Sequence, residues 1–232
     1  MTGTDEDDRV PVSNPVTGVS LCDVPEREGV AEIRLAPGAQ GPAEHVHRTT
    51  EERFEVREGE VTFRVDGRER RLGPGTEVRV SPGTPHTFRN AGEREAAMYV
   101  RTVPPNDRLG EVVVTLFGLA HDGKVDDRGR PGFLRAMAMA ERTLDETYFT
   151  GVPYGVQRAF GDTFGPLARV LGYEATDERY LDDGFWRERA DGTAGSTGST
   201  PTEIPVDDER NRQGPEGETE TQGESEDARE RE

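Results

Sequence analysis

Three of the four histidines in this 232-residue chain fall in a pattern able to hold a metal ion: His45-Val46-His47, then Glu52, then His86. In an extended strand, residues two apart point the same way, so His45 and His47 can aim together into one interior. Glu52 follows His47 by an odd number of residues, so one straight strand cannot bring it to that side. Arg48-Thr49-Thr50-Glu51 must bend before a new strand begins.

Parity then selects the carboxylate. Glu52, Phe54 and Val56 share one face, while Arg53, Glu55 and Arg57 share the other and must meet solvent. A carboxylate on the apolar face is costly unless something pairs with it, and a cation removes that cost. Glu51 falls on the polar side and is the poorer candidate. His86 behaves like Glu52: it shares a face with Phe88, opposite Thr87 and Arg89.

Three imidazoles and one carboxylate leave positions open on a five- or six-coordinate ion. Neutral imidazole suits Fe, Mn, Ni, Co, Cu and Zn alike, so the expected cofactor is one divalent transition metal of undetermined identity. Phe54, Phe63 and Phe88, on inward faces, are expected to wall a small organic ligand beside it. His121, in the loop-like Ala120-His121-Asp122-Gly123, reads as exposed. Asp122, Asp126 and Asp127 read as a solvated turn rather than a cation loop.

The elements that must position these residues are short strands. Val61, Phe63 and Val65 alternate with Thr62, Arg64 and Asp66, and Asp66-Gly67 is a two-residue hairpin signal. Further turns fall at Gly73-Pro74-Gly75, Ser81-Pro82-Gly83 and Asn90-Ala91-Gly92. Val30–Ala36, Ala96–Arg101 and Glu111–Phe117 supply more strands. Many short strands with frequent turns predict an all-β core, an antiparallel sandwich or barrel.

Residues 131–172 read as helical. Phe133, Met137, Ala140, Leu144 and Tyr148 recur at helical spacing, as do Val156, Phe160, Phe164 and Leu167. Pro166 should break or kink the second segment, and Gly172 reads as a C-terminal cap. Two amphipathic helices this aromatic are expected to pack on the barrel or on a second subunit.

The ligand-like residues resemble the cupin superfamily. Its first motif is a His-x-His pair, three or four residues, a Glu, six residues and a Gly; here it is His45-Val46-His47, Glu52 and Gly59. Its second motif runs Gly, five residues, Pro-x-Gly, two residues, His, three residues, Asn; here it is Gly75, Ser81-Pro82-Gly83, His86 and Asn90. Ser81 stands where the motif has Pro, and Ala39 where a Gly is usual six before His45. All four ligand positions match, over residues 30–103. The resemblance implies a jelly-roll barrel, or double-stranded β-helix, with His45, His47, Glu52 and His86 on one metal. Cupins include dioxygenases, decarboxylases, sugar-phosphate isomerases, and binding or storage proteins, and the fold does not choose among them. The expected function is metal and small-molecule binding. The alternatives are a metal-dependent dioxygenase-type oxidoreductase, a sugar-phosphate isomerase using Arg34 or Arg101 for phosphate, and a non-catalytic sensor.

Composition bounds the rest. The net charge is −18 with hydrophobic residues at 31%, and Lys124 is the only lysine among 29 basic residues. That balance argues against nucleic acid or an anionic membrane as partner. It fits a protein kept soluble at high salt, or a codon-biased genome with an acidic tail. Residues 187–232 carry 14 acidic and 6 basic side chains, a net of −8 that leaves −10 for residues 1–186. The expected division is a flexible 1–15, a barrel over 16–117, a helical extension over 118–186 and a disordered acidic tail over 187–232. Cys22 stands alone, no run near 18 apolar residues occurs, and Met1–Arg9 is acidic, so a cytoplasmic homodimer without a membrane span is expected.

Overall fold

The computed structural model describes residues 10–24 and 26–194. Its strands come first: β1 (Val12–Asn14), β2 (Val19–Asp23), β3 (Val30–Leu35), β4 (His45–His47) and β5 (Glu51–Glu58). Next come β6 (Val61–Val65), β7 (Arg68–Leu72), β8 (Glu77–Val80), β9 (His86–Arg89) and β10 (Ala96–Val103). Helices α1 (Asp107–His121) and α2 (Phe133–Thr143) follow, then β11 (Thr147–Phe149) and α3 (Tyr154–Val170). Two further helices, α4 (Glu178–Leu181) and α5 (Asp183–Ala194), complete the described chain.

The strands form two antiparallel sheets, ordered β1-β2-β3-β10-β5-β8 and β11-β4-β9-β6-β7. This is the all-antiparallel core expected from the strand spacing, in the jelly-roll arrangement that the resemblance implies. The inward alternation supplies the core: Leu35, Phe54, Val56, Val61, Phe63 and Met98 are buried from both sheets. Between β6 and β7, Asp66 (φ 50°) and Gly67 (φ 71°) both take positive φ, as a two-residue primed hairpin requires. Gly59 also has positive φ (63°), and a Cβ there would stand 2.5 Å from the Glu95 carbonyl oxygen. That close approach accounts for the glycine between β5 and β6.

Three helical details depart from the sequence reading. Glu111–Phe117, expected as a strand, lies inside α1. The β-branched run Val112-Val113-Val114 favours strand locally, but Asn106 Oδ1 accepts the Leu109 amide at 3.1 Å and starts a helix instead. Its buried side packs on β1 and on Tyr180. Second, the apolar spacing through Leu144 and Tyr148 does not continue as helix. α2 ends at Thr143, and Tyr148 lies in β11, which pairs with β4. Third, α3 runs through the exposed Pro166 for another turn.

The end of α3 follows the glycine signal. Gly172 takes φ 82° and donates to the Arg169 carbonyl at 2.9 Å, while Tyr173 donates to Ala168 at 2.9 Å. This is a Schellman closure. α2 and α3 approach closely where α3 is small: a Cβ on Gly165 would meet Glu141 Cβ at 2.6 Å. Of the acidic tail expected from 187, the stretch to Ala194 continues α5, held by the buried Phe185 and Trp186; the rest lies outside the described residues. Most of the N-terminal segment 1–15 also lies outside them.

Candidate metal centre

The bend expected after His47 occurs at Arg48 and Thr49, and β5 begins at Glu51. Glu52 therefore turns back toward the strand that carries His45 and His47. On the neighbouring strand His86 is the register partner of His45. One ligand atom from each of His45, His47, Glu52 and His86 lies within 4.8 Å of the others. The three histidines are buried, and the Glu52 side chain is 12% exposed.

The short edges of this cluster are His86 Nε2 to Glu52 Oε2 at 2.7 Å, His47 Nε2 to Glu52 Oε2 at 3.2 Å and His45 Nε2 to His47 Nε2 at 3.2 Å. Adjacent donors at about 2.1 Å from one ion stand about 3 Å apart when their directions are perpendicular. These three short edges fit donors gathered on a common centre.

Protonation strengthens the case. His45 Nδ1 donates to the Ala43 carbonyl at 2.9 Å, and His86 Nδ1 donates to the Thr84 carbonyl at 3.0 Å. A carbonyl cannot donate, so each Nδ1 carries the hydrogen and a neutral ring presents a bare lone pair at Nε2. His86 Nε2 then faces a carboxylate oxygen at 2.7 Å, lone pair against lone pair. A cation at the centre, a proton or a metal ion, relieves that repulsion. Burial, then the neighbouring His86 and His47, push the His45 imidazole down to about 3, so it is neutral at physiological pH. Burial alone would raise the Glu52 carboxyl, but the His47 and His86 rings beside it outweigh this and hold it below the ordinary carboxylate range. Three nitrogen donors and one carboxylate, aimed inward at contact distance, fit a divalent transition metal.

The residue that parity set aside lies elsewhere. Glu51 pairs with Arg53 Nε at 2.6 Å and Arg79 Nε at 2.5 Å, outside the histidine cluster. Phe54, Phe63 and Phe88 are buried and stack on one another at 5.3–6.1 Å between ring centroids. Phe54 also stands 6.5 Å from the His86 ring. Arg34 pairs with Glu32 and Glu95, and Arg101 is exposed, so neither enters the cluster. Asn90, which closes the second motif, is a tie: its Nδ2 donates to the carbonyls of Leu35, Ala36 and Arg94, and its Oδ1 accepts from Gly92.

Two sequence expectations are corrected here. His121 is half-buried, its Nε2 at 3.0 Å from Ser13 Oγ and its ring edge-on to Trp186. Asp122 is not a solvated turn residue but accepts from Tyr180 Oη at 2.7 Å, Arg179 at 2.7 Å and Lys124 at 3.0 Å. Both are covered by α4 and α5. Asp126 does cap a surface turn, accepting the Arg128 and Arg130 amides.

Thr147 was missed by sequence reasoning. Its Oγ1 lies 2.8 Å from His47 Nδ1, in a buried hydrogen bond spanning 100 residues of chain. Nothing in the sequence marks it: it falls inside the first amphipathic stretch, one residue before Tyr148.

Residues 31–101 match a family model described as Cupin domain. Among solved structures, the chain is similar to a sugar phosphate isomerase from a cupin superfamily of Silicibacter pomeroyi DSS-3, at 24% identity over 42% of this chain and 73% of that one, TM-score 0.39. It is also similar to a predicted oxalate decarboxylase of Thermotoga maritima, at 20% identity over 42% and 92%, TM-score 0.36. The cupin domain of Drosophila melanogaster CENP-C matches at 14% identity over 41% and 75%, TM-score 0.35. No curated relative matches the chain.

Proposed function

We propose that residues 31–101, which match a family model described as Cupin domain, form a barrel that holds one divalent transition-metal ion on His45, His47, Glu52 and His86, with a small organic ligand beside it. The observation that supports this most is the 2.7 Å approach of His86 Nε2, on a ring whose Nδ1 is held by the Thr84 carbonyl, to the Glu52 carboxylate. When bound, such an ion supplies Lewis-acid polarisation of an oxygen ligand such as an enolate or carboxylate. The chain's own part is to fix three imidazoles by their Nδ1 atoms, to keep Glu52 ionised, and to back the cluster with Phe54. Metal analysis of protein purified without added metal tests the reading: about one ion per chain supports it, and a chain that takes up none under any divalent metal overturns it.

Two finer readings remain within this site. A dioxygenase-type oxidoreductase uses an open metal position beside an apolar wall, which Phe54 provides. Oxygen uptake by iron-loaded protein with candidate phenols or diketones separates it from a non-catalytic binding or sensor protein. A sugar-phosphate isomerase needs a cation for phosphate, but Arg34 is paired with Glu32 and Glu95 and Arg101 is exposed away from the cluster, so this reading has the least support.

We further propose that the chain works as a homodimer. α3 is apolar on two sides: Gly161, Gly165 and Ala168 face α2, while Val156, Phe160, Leu167 and Val170 are exposed on another side. At 3.6 residues per turn the charges Arg158, Asp162 and Arg169 fall between these faces, so the exposed stripe carries none. With the adjoining Phe133 and Leu171, the exposed apolar area is about 500 Å², taking ~150–250 Å² for a whole aromatic side chain. That is well over half of the roughly 800 Å² each partner contributes to a standard interface. Lysine scarcity and the −10 of residues 1–186 also support operation at high salt, where a melting temperature that rises through the molar range, rather than levelling at ~0.2 M, is the expected result.

No described helix is long and apolar enough to cross a membrane.

A further inference from the structure

We propose that Thr147, from the extension beyond the cupin match, is the positioning residue for the metal ligand His47. The inference rests on the metal reading above and adds a part that the barrel itself does not contain. His45 and His86 each anchor Nδ1 on a carbonyl two residues earlier, at Ala43 and Thr84. His47 has its Nδ1 on the Thr147 hydroxyl at 2.8 Å.

The backbone is arranged to deliver that hydroxyl. β4 is only three residues long, and its single register pair with β9 is His45 with His86. Its other edge is covered by β11, with Thr147 opposite His47, Tyr148 opposite Val46 and Phe149 opposite His45. The pairing is extended at both ends. The Arg48 amide donates to Glu146 at 2.7 Å, and the Thr150 amide donates to Glu44 at 2.9 Å. Thr150 Oγ1 donates to the Glu44 carboxylate at 2.7 Å.

The hydroxyl acts on the tautomer. A metal on His47 Nε2 requires the ring hydrogen at Nδ1, where Thr147 Oγ1 accepts it. Without that acceptor the buried Nδ1–H has no partner, so the ring is free to rotate or to place its hydrogen at Nε2 and turn a donor on the metal position. The extension therefore holds the metal strand in place and selects the form of its second histidine.

The test compares wild type with Thr147→Val, Thr147→Ala and Thr147→Ser by competition for Zn(II) and Co(II) against a chromophoric chelator. Loss of an outer hydrogen bond to a metal-bound histidine typically weakens binding about 10–100-fold. Such a loss is expected for Val and Ala, with Ser within a few-fold of wild type. In the metal-free proteins, ¹⁵N chemical shifts of the His47 ring are expected to show the Nδ1–H tautomer in wild type and Ser, and a shift toward Nε2–H in Val and Ala. A merely steric role would leave the tautomer unmoved and would not be rescued by Ser. Wild-type protein that binds no metal would overturn the metal reading itself. Wild-type binding with Val and Ala equal to it, or Ser as weak as Ala, would overturn the role of Thr147 while leaving that reading intact.

Discussion

His45 and His86 are register partners joining β4 to β9, and their ring centroids stand 4.3 Å apart at 51°. Each ring is held by a carbonyl two residues earlier, just before its own strand, so the two motifs, far apart in sequence, present the same local device from neighbouring strands. The pair fixes the floor of the cluster, and Glu52 and His47 close it from β5 and β4.

A ligand that binds only the folded state raises stability by mass action. At a metal concentration of 100 times Kd the gain is about 2.7 kcal/mol, or about 5–10 °C in Tm for a chain of this size. That rise is expected for wild type on adding Co(II) or Zn(II) and is expected to vanish in His86→Ala. Equal rises in both proteins would mean that the metal acts at another site.

Gly118 is the tightest point between α1 and α4. A Cβ there would stand 2.2 Å from the ring of the fully buried Tyr180. Gly118→Ala is expected to cost about 1–3 kcal/mol through overpacking, despite the better helix propensity of alanine. A denaturant midpoint equal to or above wild type would show that α4 and α5 do not dock where described.

Asp122 ties α1 to the same two helices. Burial would raise its carboxyl, but hydrogen bonds from Tyr180, Lys124 and Arg179 outweigh this and hold it below the ordinary 3.8. A carboxylate depressed on folding contributes stability that is complete above the unfolded value and lost as pH falls through the folded one. Asp122→Asn should therefore cost about 1–2 kcal/mol near pH 7 and lose the difference from wild type on acidification below about pH 4. A difference that stays constant from pH 7 to pH 3 contradicts this.

The α3 stripe predicts the state of the protein in solution. Val170, 84% exposed, is the residue least involved in its own protomer's packing. Val170→Asp with Leu167→Asp is expected to convert a dimer to a monomer by light scattering, with unchanged metal content. A wild type monomeric at micromolar concentration would remove the second copy as the cover of this face.

The gathering of His45, His47, Glu52 and His86 was legible because strand parity is local. Glu52 against Glu51, and His86 against Thr87, are decided by counting residues along one strand. Thr147 was not legible, since nothing in Asp145-Glu146-Thr147 says that it will pair with a strand 100 residues earlier. α1 was misread as a strand because the valines speak for propensity, although Pro104-Pro105-Asn106-Asp107 is a readable helix start. The covered state of His121 and Asp122 depends on Tyr180 and Trp186 returning from far downstream.

The central claim is that one carboxylate of an adjacent pair is a metal ligand and its neighbour is not. Metal content per chain, measured by plasma mass spectrometry after purification without added metal, compares wild type, Glu51→Ala and Glu52→Ala directly. The account predicts about one ion in wild type and in Glu51→Ala, because Glu51 is paired with Arg53 and Arg79 outside the cluster, and near-complete loss in Glu52→Ala. Equal metal in the Glu51 and Glu52 variants, whether retained or lost, would contradict it.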